Sequence, residues 1–65
     1  MNMENCNKLE SVIDSNSVKE VLDAIAAICL EKSDHIESNW QDIYTAKVWL
    51  KAGRKIEALA AKILI

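Results

Sequence analysis

His35 is the only histidine in the chain, and it stands among oxygen donors. In "EKSDHIESNWQD", residues 31 to 42, Glu31, Asp34 and Asp42 lie close to it. On a helix Glu31 and His35 would share a face, four residues apart. Helical bundles that hold two metal ions supply carboxylates and E-x-x-H pairs from inside the core. Here the spacing is E-x-x-x-H, with one His per chain, so a second copy would have to double the donor set. Glu31, His35 and Asp42 are therefore weak metal candidates. The expectation is that the chain binds no metal or other cofactor and that His35 sits at a polar elbow, where a cation suits a helix C-terminus.

Nucleophilic or acid–base catalysis has less to work with. The chain has no Ser or Cys beside an activating base and no glycine-rich loop that would cradle phosphate. Cys6 and Cys29 have no neighbouring basic cluster to lower a thiol pKa, and no paired CxxC spacing suggests zinc. Cys29 lies in an apolar run, where a thiol acts as a small hydrophobe. The chain is expected not to be an enzyme, and its two unpaired thiols suit a reduced, cytoplasmic setting.

The basic residues offer a third chemistry. Lys47, Lys51, Arg54, Lys55 and Lys62 fall on the helical face opposite Trp49 and Ile56, with Tyr44 and Trp40 on the same side. Such a stripe could meet phosphates and a stacked base. The formal net charge, however, is −2, whereas nucleic-acid modules are usually strongly basic. A nucleic-acid-binding regulator is thus the alternative reading, and the solvated face of an amphipathic helix is the plainer one.

What elements would hold these residues? Sixty-five residues allow one domain. No Pro and a single Gly leave turns and sheets without their usual punctuation, so the fold class is all-α. Met3 to about Ile13 reads as a short helix or arm. "DSNS", residues 14 to 17, then competes for backbone hydrogen bonds. Ser17 and Glu20 form an S-x-x-E capping box. From there Val18, Val21, Leu22, Ile25, Ile28, Cys29 and Ile36 make one stripe at the helical period, which predicts a helix over 18–37. Lys32 interrupts the stripe and can reach water along its stem.

A second box, Ser38 with Gln41, marks a new start, with Asp42 in the first turn. A third helix is predicted over 40–64. Its stripe is Trp49, Ala52, Ile56, Leu59 and Ile63, and beside it Ala46, Gly53 and Ala60 repeat every seven residues. Small residues at that spacing let another helix approach closely, which would offset the roughly 1 kcal/mol that Gly53 costs inside a helix. One continuous helix from about residue 17 to 65 also keeps a heptad phase, but Lys32, His35, Asn39 and Asp42 would leave its middle without a core. The hairpin is the better expectation.

"AIAAICL", Ala24 to Leu30, raises the question of assembly. Seven consecutive apolar residues cover every face of a helix, placing Ala26, Ala27 and Leu30 away from the main stripe. Two helices hide only one side. The expectation is a homodimer of C2 symmetry forming a four-helix bundle, with a tetramer as the larger form. Its core and interface would use Val21, Leu22, Ile25, Ile28, Leu30, Trp49, Gly53, Ile56, Leu59 and Ile63. Residues 1 to 42 carry three basic and nine acidic side chains, net −6. Residues 43 to 65 carry five basic and one acidic, net +4. Opposite charges favour pairing the acidic helix with the basic one.

The N-terminus has no apolar core of a signal peptide, and "AIAAICL" falls far short of the roughly 20 residues that cross a bilayer. By elimination, function is expected to lie in protein–protein contact, with the chain itself and an unidentified protein as partners and no membrane. Tyr44, Trp40 and the basic stripe are the candidate outer contacts, and Leu64 and Ile65 extend an interface or fray.

Overall fold

The computed structural model describes residues 1–65, with the Trp40 side chain outside the described set. It contains three helices: α1 (Met3–Ser15), α2 (Val18–Trp40) and α3 (Ile43–Ala60). Among the described residues no helix is long and apolar enough to cross a membrane.

Each boundary has a local cause. The Asn2 side chain accepts from Asn5 N–H at 2.8 Å and starts α1. At its end Asn16 donates from its side chain to the Val12 carbonyl at 2.8 Å and from its backbone to Ile13 at 3.2 Å. Ser17 then caps α2 by accepting from Glu20 N–H at 3.1 Å. Only this half of the expected box forms among the described residues.

The second expected box does not form. Ser38 lies within the last turn of α2, which runs to Trp40, three residues beyond the expected end. Gln41 turns the chain in the left-handed region, at φ 55° and ψ 27°. Asp42 then becomes the N-cap of α3. Its carboxylate accepts from Thr45 N–H at 3.1 Å and from the Thr45 hydroxyl at 2.7 Å. A D-x-x-T pair thus outcompetes S-x-x-Q, because one carboxylate satisfies two donors. The third helix also ends at Ala60, four residues short of the expected 64. Beyond it the chain turns back, and Lys19 N–H donates to the Ile65 carbonyl at 2.7 Å.

α2 and α3 pack as an antiparallel hairpin, so the continuous helix is not formed. Three contacts set the register. Lys19 Nζ donates to the Ala60 carbonyl at 3.0 Å. Gly53 lies against Ala26, Cys29 and Leu30. The Ser33 hydroxyl donates to the Ala46 carbonyl at 2.6 Å. The pairs 19 with 60, 26 with 53 and 33 with 46 have numbers of equal sum, as an antiparallel register requires.

The seam is made of small residues. Ala26, Cys29 and Ser33 of α2 and Ala46, Gly53 and Ala60 of α3 are all buried. They repeat at three, four and seven, the spacing of a helix seam. This corrects the expectation for Ala26 and Leu30, which were placed away from the packed side. Ala26 is 2 % exposed, and Leu30 is half-buried with Cδ2 3.1 Å from where a Gly53 Cβ would stand. Backbones that approach closely need small side chains between them, so the small stripe takes the seam and the bulky stripe is displaced to a flank.

A candidate interaction face on one flank of the hairpin

One contact identifies the flank that carries the bulky residues. Lys32 Nζ lies 5.5 Å from the Trp49 ring centroid, a cation–π distance, so those two residues share a side. At 3.6 residues per turn, Val21, Ile25 and Ile28 of α2 share that side with Lys32. On α3, Val48, Ala52, Ile56 and Leu59 share it with Trp49. The opposite flank carries Asp23, Leu30 and Glu37 on α2 and Ile43, Leu50, Arg54 and Glu57 on α3, a set in which four of seven side chains are charged. The hairpin is thus more apolar on one flank and more charged on the other.

α1 only begins to cover the apolar flank. It meets α2 sparsely, across an open groove of about 450 Å³ lined by Leu9, Val12, Val21, Ala24, Ile25 and Ile28. Val12, Ile28, Val48 and Leu59 each keep 48–52 % of their surface in water. Among the described residues no large side chain is fully buried.

The dimensions agree. The surface area is 5205 Å², whereas a compact monomer of 7.3 kDa should expose about 4,200 Å². The radius of gyration is 13.5 Å against about 11 Å for a compact chain of this length. About 1,000 Å² of surface is therefore present that an ordinary folded domain would have removed from water.

The expected core and interface residues divide accordingly. Val21 and Gly53 are buried. Leu22, Ile25, Leu30, Trp49, Ile56 and Ile63 are half-buried, and Ile28 and Leu59 stand on the exposed flank. Sequence reasoning missed Ala26 and Ser33 as seam residues. The signal was present, since Ala26 and Ser33 are seven apart, mirroring Ala46, Gly53 and Ala60.

The chemical candidates are dispersed. Glu31 and His35 are exposed on the outer side of α2. Asn39 Nδ2 lies 3.1 Å from His35 Nδ1 and donates to the His35 carbonyl at 3.0 Å. Asp42 is occupied as a helix cap, and its carboxyl is held below the ordinary value by the Thr45 hydroxyl first and the Thr45 N–H second. No three His, Cys, Asp or Glu side chains stand close enough to hold a metal among the described residues. Cys29 is buried in the seam and Cys6 is exposed.

Lys47, Lys51, Arg54, Lys55 and Lys62 are all exposed, and Tyr44 is 80 % exposed beside them. Arg54 pairs with Glu57 at 3.3 Å. The four lysines have no carboxylate within ion-pair distance among the described residues. The expected grouping of Trp40 with this face lies outside the described side chains. No family model, curated protein or solved structure matches the chain.

Proposed function

We propose that the chain is a self-associating helical interaction module. Two copies bury their apolar flanks against each other as a C2 four-helix bundle, and the assembly acts through protein–protein contact without chemistry of its own. The observation that carries this reading is the uncovered flank. A surface excess of about 1,000 Å² per chain is close to the roughly 800 Å² that each partner contributes to a standard stable interface. An apolar flank of packed side chains, and not the polar one, is also what homodimer interfaces use.

Sedimentation velocity across micromolar concentrations tests it, with wild type beside Ile28→Asp. Wild type should sediment as a dimer or larger. Ile28→Asp should sediment as a monomer, because it would bury an unpaired carboxylate in the interface. Half of the Ile28 surface is in water, so an isolated hairpin should tolerate the change. A well-folded wild-type monomer at these concentrations overturns the reading.

A second reading has one observation behind it: Lys47, Lys51, Lys55 and Lys62, without carboxylate partners among the described residues, beside an exposed Tyr44. As a nucleic-acid surface they would shift labelled RNA or DNA at low salt and release it as salt rises. No shift at low salt removes this reading.

A further inference from the structure

We infer that the groove between α1 and α2 is the seat of α3 from a second copy, the two copies being related by a twofold axis parallel to the hairpin helices. The inference rests on the self-association proposed above and adds its orientation and register. Two twofold arrangements bring apolar flanks together. An axis across the helices lays α3 over α3 and α2 over α2. An axis along them lays each α3 over the α1–α2 side of the other copy.

Charge separates the two. Residues 1–42 carry net −6 and residues 43–65 net +4. Stacking α3 on α3 crowds lysines that already lack carboxylate partners, and like charges brought together oppose association. The parallel axis sets each basic ridge beside an acidic side instead. It also fills the gap between α1 and α2, where Leu9 and Val12 face Val21, Ile25 and Ile28 across open space.

The register then follows from symmetry. Rotation about an axis parallel to the helices leaves every atom at its own height. A residue of the second copy's α3 therefore stands level with the α2 residue it pairs with in its own hairpin. With 26 beside 53 and 33 level with 46, the groove over residues 21–28 faces residues 51–58 of the second copy. Ala52 and Ile56 of that copy enter the apolar trough. Its Lys55 stands level with Ala24, about one helical turn from Glu20, and its Lys51 stands level with Ile28, within a turn of Glu31. Glu20 lines the groove itself.

Lys51→Gln with Lys55→Gln tests this. Both lysines are exposed, with no carboxylate within ion-pair distance among the described residues, so the hairpin does not depend on them. Dissociation constants are measured by sedimentation at about 20 and about 200 mM salt, which moves the screening length from roughly 20 to 7 Å. Losing four interchain ion pairs per dimer at a few tenths of a kcal/mol each should weaken association about 10-fold at low salt. Wild-type association should weaken several-fold as salt rises, and the variant should respond less. Unchanged or tighter association of the variant overturns the parallel axis and leaves self-association standing. A wild type that stays monomeric in both salts overturns the proposed function and this inference together.

Discussion

Replacing Gly53 with alanine sets two effects of known sign against each other. Alanine is better than glycine inside a helix by about 1 kcal/mol, and Gly53 lies well inside α3. The added Cβ, however, would stand 3.1 Å from Cys29 Cβ, 3.1 Å from Leu30 Cδ2 and 3.2 Å from the Ala26 carbonyl oxygen. Ordinary contact begins near 3.5 Å. The Leu30 methyl can swing aside, but Cys29 Cβ and the Ala26 carbonyl belong to the frame of α2. The two helices must then part by a few tenths of an ångström, which loosens the adjoining seam at Ala46 and Ala60. Overpacking of this kind costs about 1–3 kcal/mol. Taking about 2 kcal/mol and subtracting the helix gain leaves a net loss of about 1 kcal/mol, or a melting temperature about 4–8 °C lower in a domain of this size. Thermal unfolding followed by circular dichroism measures it, with wild type and variant at one concentration because association would shift both curves. Ala58→Gly, at an exposed position of α3, reads the helix term alone and should lose about 1 kcal/mol. If Gly53→Ala instead raises stability by about that full amount, the helices do not approach as closely as described and the seam reasoning fails.

Two further outcomes are expected. Gln41 holds a left-handed conformation that costs an L side chain roughly 1–2 kcal/mol, so Gln41→Gly should raise stability by about 0.5–1 kcal/mol in urea unfolding once the freer unfolded glycine is allowed for; destabilisation would show that the Gln41 side chain contributes to the turn. The Asp42 carboxyl, held below 3.8 by its two bonds from Thr45, contributes to folding above the ordinary carboxylate range and loses that contribution as pH falls through its lowered pKa. An NMR titration of its carboxyl carbon should therefore show a midpoint below 3.8, and Thr45→Ala should move it upward; a midpoint at or above 3.8 in wild type would mean the cap is not formed.

The Ser17 and Asp42 ends of the two main helices illustrate what is legible in a chain and what is not. Ser17 was readable because a capping residue acts on donors two or three positions away, within the same segment. At the elbow two local signals competed, Ser38 with Gln41 and Asp42 with Thr45, and nothing local ranks a hydroxyl against a carboxylate that takes two donors. The metal candidates stand apart for a related reason. Glu31, His35 and Asp42 are close in sequence, but a helix that continues to Trp40 keeps the first two on its outer surface and leaves Asp42 beyond the turn.

The all-helical class was determined by the chain alone, since one glycine, no proline and apolar residues at three and four leave no alternative backbone arrangement. The recess at Ala46, Gly53 and Ala60 was also visible there as a period of seven. Only the tertiary structure decided what enters that recess. A stripe of large residues and a stripe of small ones both run along α2, and hydrophobicity alone favours the large one. Close approach of two backbones favours the small one, and that choice turns Val12, Ile28, Val48 and Leu59 outward. Local pattern determines which residues are apolar, whereas the face left uncovered depends on how closely the two helices of the hairpin approach each other.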